Sequence, residues 1–378
     1  MRTFIIDGNF LLLRILKANQ DLMFRDKVKE DAETFTKTLC AHLANQVSEI
    51  KSYCDNIVIC KDAHSWRKSF PIKQFDNNPP AKDYKANRIK SEEEVEAGPD
   101  MDFFFPFAER VLKRICSEYD IAYTCVPGAE GDDAIYAWTT YLAKQGKYSI
   151  VYATDSDLNM LLNKYVMIHR QVRTKLSPTR GEIMCSKDYY KEYIDSNNMM
   201  SIFSENIQMW QAENVLMHDR RLGEQVFTPN PYWGVFFKIF AGDAKDNVPP
   251  CFVFTNNGRT ATITEKRLEK ALGAIFLDYT TDEDMLYNDD LYRNVIQELA
   301  KVCKVSLTDD EKKLAFDIAI QNRKLLYLNY KEIPTEVLEG LKANINANKN
   351  LRAKMSKMSY NGLLATFGLS DTNYFKKF

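Results

Sequence analysis

Histidine is scarce in this chain of 378 residues, four in all, and the eight cysteines include no Cys-x-x-Cys pair. That leaves no spacing suited to a zinc site. No apolar run approaches the roughly 20 residues of a membrane span. Nor does a leader precede the first strand pattern, which runs straight into Asp7, so no signal peptide is expected. An excess of one charge is missing too: 51 Lys and Arg face 52 Asp and Glu, a net charge of −1 that is silent about partners until the charges are located. Cys54 and Cys60 flank an apolar run and read as core thiols of a reduced compartment. The expectation is a soluble, cytoplasmic protein with room for two or three domains and a sizeable core.

What is present is a set of acids at telling places. Residues 3–7 form a β-rich run closed by Asp7-Gly8-Asn9, a turn signal. A helical pattern from about 30 to 53 carries Phe35, Leu39, Leu43 and Val47 at helical spacing. Residues 56–60 are a second buried strand, with Asp62 two positions beyond. A helix at about 102–118 leads to a strand at 121–125, then to Gly128–Ala134, where Glu130, Asp132 and Asp133 crowd into four positions ahead of an apolar helix. The strand at 149–153 ends in Thr154-Asp155-Ser156-Asp157, and a short run at 165–169 follows.

Strands alternating with helices predict a parallel α/β sheet, whose ligands bind outside the carboxyl ends of the strands. All seven acids, Asp7, Asp62, Glu130, Asp132, Asp133, Asp155 and Asp157, fall at such ends, with no lysine or arginine local to each turn. One alternative is a set of solvated loop acids, favoured near a helix N-terminus by about 0.3–1 kcal/mol each. The sharper reading is a divalent-metal site, since clustered carboxylates repel unless a cation lies between them. Oxygen ligands without His or Cys suit magnesium or manganese. A haloacid-type phosphatase would want Asp-x-Asp at the first strand, but position 9 is Asn.

Residues 61–90 carry eight Lys and Arg against three acids, interleaved with Trp66, Phe70, Phe75 and Tyr84. Cations that track phosphates beside aromatics that stack on bases suit a single nucleic-acid strand. A flexible solvated loop is the alternative. His64 suggests a positional or phosphate-contact role, and no nucleophilic triad is readable.

These residues resemble the flap endonuclease and 5′-3′ exonuclease superfamily, whose core is PIN-like. The matching signatures are Ile5-Ile6-Asp7-Gly8-Asn9, Cys60-Lys61-Asp62, Asp83–Arg88, Glu130–Asp133, Thr154–Asp157 and Gly242–Asn247. Within it the chain most resembles the ribonuclease H group of T-even-type phages, through Trp66-Arg67-Lys68, Lys238–Asn247 and Leu325–Asn329. The resemblance implies an α/β, PIN-like parallel-sheet nuclease core (1–182) with a helical arch or gate (about 61–100). It also implies a helix–three-turn–helix-type segment and a small helical C-terminal domain (229–378), with residues 183–228 as an insertion, helical from 186 to 215.

By the same resemblance Asp7, Asp62, Glu130, Asp132 and Asp155 surround a first Mg2+, replaceable by Mn2+. Asp157, Asp243 and Asp246 hold a second, with Asp133 near both. Lys85, Arg88 and Tyr84 act on the substrate strand, and Trp66, Arg67 and Lys68 belong to its gate. Lys266, Arg267 and Lys270, on a helix at about 264–274, contact duplex phosphates; a solvated amphipathic helix is the alternative. The family's K+ site is implied as well, but the run Val248–Gly258 replaces its Gly-x-Gly hairpin. Tyr374, Phe375 and Phe378 match tails that dock on a sliding clamp, a locally packed end being the alternative. Implied partners are duplex DNA, 5′ flaps, RNA–DNA hybrids, the clamp and a single-strand-binding protein, met by a monomer in the host cytoplasm during phage replication. Two rivals stand beside this reading: a PIN-type ribonuclease, and a non-catalytic structure-specific DNA-binding protein.

Overall fold

The computed structural model describes residues 2–75, 83–86, 92–172, 180–189, 191, 207–212, 231–256, 259–275 and 283–370. The N-terminal half runs β1 (Arg2–Asp7), α1 (Gly8–Ala18), α2 (Val28–Ile50), β2 (Asn56–Cys60), α3 (Glu92–Ala97), α4 (Met101–Glu118), β3 (Ala122–Thr124), α5 (Gly131–Ala143), β4 (Tyr148–Tyr152) and β5 (Val166–Val172). Then come β6 (Arg180–Ser186), α6 (Lys187–Tyr189), β7 (Ile207–Ala212), α7 (Trp233–Ala241), a hairpin of β8 (Phe254–Asn256) and β9 (Arg259–Ala261), and α8 (Glu265–Ile275). Helices α9 (Asp289–Cys303), α10 (Asp309–Leu326), α11 (Thr335–Asn348) and α12 (Tyr360–Ala365) finish the described chain.

Seven strands form one sheet in the order β3-β2-β1-β4-β5-β6-β7. The first five strands are parallel, β6 runs antiparallel to β5, and β7 runs parallel to β6. The apolar strands alternate between two covered faces, as a buried parallel sheet requires. Ile5, Val58 and Val151 belong to one core, shared with α5 and α7–α11, whereas Phe4, Ile6, Ile57 and Tyr152 belong to a second, shared with α1, α2, α4 and α12. The C-terminal helices therefore share a core with the sheet. Strand order reverses at β1, which lies between β2 and β4, and the crevice at that switch point is where such sheets bind ligands.

The helix expected over 186–215 is corrected in part: Lys187–Tyr189 is helical, 207–212 is not, and residues 192–206 and 213–215 lie outside the described residues. Ile207–Ala212 is strand β7, paired in register with β6 through Ile183↔Met209 and Cys185↔Gln211. An edge offering free backbone groups overrides a weak helical pattern. Elsewhere the expected helices and strands stand close to their places, and no described helix is long and apolar enough to cross a membrane.

Candidate metal and nucleic-acid site

Each acid at the sheet edge has a local reason for its position. Asp7 caps α1, accepting the Phe10 N–H at 3.0 Å. Asp155 caps the 3-10 turn Ser156–Leu161, accepting the Asp157 N–H at 3.1 Å. Asp62 receives the Gly131 N–H at 2.6 Å and the amide of Asn9. Gly131 leaves that carboxylate its room, since a Cβ there would stand 2.9 Å from Asp62 Oδ1. Gly242, at φ 73, turns the chain out of α7 so that Asp243 and Val248 exchange backbone hydrogen bonds at 2.9 Å.

Asp7, Asp62, Glu130, Asp132, Asp155, Asp157 and Asp246 line one cleft of about 1040 Å³ together with Tyr84 and Lys85. Lysines from distant parts of the chain reach these acids. Lys85 lies 2.6 Å from Glu130 and 3.9 Å from Asp246. Lys238 bridges Asp157 at 2.6 Å and Asp243 at 2.7 Å, and Lys245 approaches Asp155 at 3.5 Å. The expectation that no cation serves the acids is corrected: Lys61 adjoins Asp62 in its own turn, and Lys85, Lys238 and Lys245 reach the others from elsewhere in the chain.

The remaining acids repel one another. Burial pushes the Asp7 carboxyl up to about 7, the Phe10 N–H opposing and the charges of Asp62 and Asp155 assisting. Burial also raises Asp132 well above the carboxylate range, helped by Asp7, Asp155, Asp62 and Glu130. For Asp155 burial is outweighed by the Asp157 N–H, Lys245 and Lys238, and its carboxyl is held low. The buried Oδ1 of Asn9 has no hydrogen-bond partner among the described residues. An all-oxygen donor set with uncompensated negative charge fits a hard divalent cation. Among the described residues no three His, Cys, Asp or Glu side chains form a ready-made ion cage.

A pH dependence follows. Asp7, at about 7 when folded against roughly 3.9 when unfolded, binds its proton more tightly in the folded state. Its contribution to stability is complete below the unfolded value and is lost as pH rises through about 7. A divalent cation needs the ionised form and competes with that proton. The increase in Tm on adding Mg2+ or Mn2+ should thus be larger at pH values above 7 than below 6, as thermal melts with metal or chelator would show. Equal increases would refute proton–metal competition at this cleft.

Two residues expected in the site serve otherwise. Arg67 touches the cleft wall but is only 2% exposed, and its guanidinium is spent on Asp133, at 2.8 Å to each oxygen. Asp133 does not line the cleft with the other acids: it is fully buried, with both oxygens on Arg67 and one also on the Glu130 N–H at 3.0 Å. A buried charge is stable only when paired in this way. Trp66 packs edge-on against Phe70 and under the Arg67 guanidinium, whereas Lys68 and His64 are exposed. Lys266 and Lys270 are exposed on α8, and Arg267 lies over the Phe254 ring. Arg88, Tyr374, Phe375 and Phe378 lie outside the described residues.

The sequence reading passed over α1. Its core stripe is Leu11, Leu12, Ile15 and Leu16, while Phe10, Leu13, Arg14 and Lys17 line the cleft. A second face at helical spacing, half cationic and beside Asp7, was the available signal. Leu325, Leu326 and Leu328 also reach the cleft, so the end of α10 helps to wall it.

Comparison with known proteins places this geometry. No curated protein matches the chain by sequence. Among solved structures, the zinc-bound 5′-exonuclease of phage T5 is 16% identical, with a TM-score of 0.50 over 92% of this chain and 100% of that one. The phage T5 flap endonuclease in complex with DNA and metal ions is also 16% identical, with a TM-score of 0.49 over 93% of this chain and 100% of that one. The first shares the fold. The family model described as 5′-3′ exonuclease, N-terminal resolvase-like domain, matches residues 2–193. With half of its length in that match and the sheet, switch point and acidic edge in place, the chain belongs to the 5′-3′ exonuclease family.

Proposed function

We propose that the protein is a divalent-metal-dependent 5′-3′ exonuclease and flap endonuclease with ribonuclease H activity, hydrolysing phosphodiesters near 5′ ends. The observation that carries the proposal is the convergence of seven carboxylates, from Asp7 to Asp246, on one cleft beside Lys85 and Tyr84. Removal of RNA primers and flaps during phage DNA replication is the corresponding role.

Asp7, Asp62, Glu130, Asp132 and Asp155 would hold one Mg2+. Asp157, Asp243 and Asp246 would hold a second, sharing two of those acids with Lys238. Magnesium bound there supplies an ionised water and offsets charge on the phosphate. The protein's own part is positional. Lys85 aims an ammonium at the acidic edge, where it can stabilise negative charge growing on a phosphate. Tyr84 is held by Asp246 at 3.3 Å, and its ring lies beneath the Lys85 ammonium. Burial pushes its phenol far above the usual range, so it acts as a neutral group and not as a base. Phe10, Arg14 and Lys17 extend the cleft along α1 with stacking and cationic groups suited to a strand.

The test uses a 5′-labelled flap and an RNA–DNA hybrid incubated with Mg2+ or with chelator. Short 5′ products should appear only with metal. Cutting that persists in chelator would sink the metal-dependent reading, and binding without cutting in Mg2+ would favour the non-catalytic rival.

A further inference from the structure

Arg67 is the most enclosed cation among the described residues, and the roles above leave it unused. It opens the gate segment, in the 3-10 turn Trp66–Ser69, whose base is stitched to the loop before α5. The Ala63 N–H donates to the Ala129 carbonyl at 3.0 Å and the Trp66 N–H to the Gly128 carbonyl at 2.8 Å. From there its side chain reaches two further elements. Nη1 and Nη2 grip Asp133 in a parallel fork, and Nη1 also lies 3.3 Å from Glu130 Oε2. Nε donates to the Leu325 carbonyl at 2.8 Å, a carbonyl of the last turn of α10 that lacks an intrahelical partner.

Glu130 is thereby divided between two surroundings. Its Oε2 faces Arg67 in the interior, while its Oε1 is the oxygen that meets Lys85 from the cleft. A carboxylate gripped on one oxygen has a defined direction for the other. We propose that Arg67 is a positioning residue: it orients Glu130 for cation binding, with Asp133 as its counter-charge, and ties the gate and α10 to the acidic edge. This inference rests on the metal-dependent reading given above. Groups that hydrogen-bond a metal's carboxylate ligands set their orientation, and losing one typically weakens metal affinity about 10–100-fold. Only a planar guanidinium can fork onto Asp133 while also reaching Glu130 and Leu325; an ammonium lacks that geometry.

The experiment measures Mn2+ affinity by calorimetry without nucleic acid, beside Tm, in three variants. Arg67→Lys keeps the charge and loses the fork. The pair Arg67→Met with Asp133→Leu replaces a buried ion pair by apolar groups, an exchange that folded proteins often tolerate. Arg323→Leu is the control, breaking a different buried pair, Arg323–Glu332 at 2.9 Å. Both changes at position 67 should weaken Mn2+ binding about 10–100-fold, while Arg323→Leu lowers Tm and leaves Mn2+ affinity alone. If Arg67→Lys does not fold, the paired variant carries the same comparison. Wild-type affinity in the variants at position 67 would overturn the proposal and leave the enzyme reading intact. A wild-type protein that binds no Mn2+ would overturn both.

Discussion

Asp132→Asn should slow cleavage of a 5′ flap about 10³-fold or more, the several kcal/mol that a metal's stabilisation of the transition state contributes. Asp132 stands among the other acids: Asp7, Asp155, Asp62 and Glu130 all oppose its ionisation. A cation that relieves this repulsion would draw on Asp132 as well as on the four acids around it. The amide keeps the shape and removes the charge. Flap binding should survive, because a less negative cleft repels phosphate less. Single-turnover cleavage beside fluorescence anisotropy separates the two effects. Cleavage at the wild-type rate would show that the acids are not a working metal site.

Lys85→Ala should have the second-largest effect, a loss of about 10²–10³-fold in cleavage, as expected when a donor aimed at developing charge is removed. Its influence on metal binding should have the opposite sign. In the free protein the Lys85 ammonium occupies Glu130 Oε1 at 2.6 Å, and it must leave before a cation can take that oxygen. The backbone holds it there: Lys85 has φ 60, its N–H donates to the Asp246 carbonyl at 2.8 Å, and Asn247 Nδ2 donates to the Asp83 carbonyl at 3.0 Å. A left-handed lysine persists only where its surroundings fix it. Lys85→Ala should therefore bind Mn2+ at least as tightly as the wild type while turning over far more slowly. Weaker Mn2+ binding, or unchanged turnover, would contradict this role.

Much of this was legible in the sequence because it is local. Short apolar strands ending in an acid, at Asp7, Asp62 and Asp155, announce both the parallel sheet and its functional edge without knowledge of any distant contact. The pairings that refine the site are not local. Arg67 meets Asp133 and Lys238 meets Asp157, 66 and 81 positions apart, and nothing in periodicity or spacing assigns one charge to the other. Arg67 and Asp133 thus read as surface chemistry when they are interior. Strand β7 was missed for a related reason. Its alternation over Ile207–Ala212 is weak, and its pairing with β6 is what settles it as a strand. The second face of α1 was readable, but an amphipathic helix is ordinarily described by its apolar stripe alone.

The central claim is that acids spread from Asp7 to Asp246 gather around divalent cations at the carboxyl ends of β1, β2 and β4. The most direct test is a manganese-soaked crystal examined by anomalous scattering. The expected result is a strong peak among Asp7, Asp62, Glu130, Asp132 and Asp155, with Lys85 displaced from Glu130. A map with no peak in that cleft, and with Lys85 still on Glu130, would contradict the account.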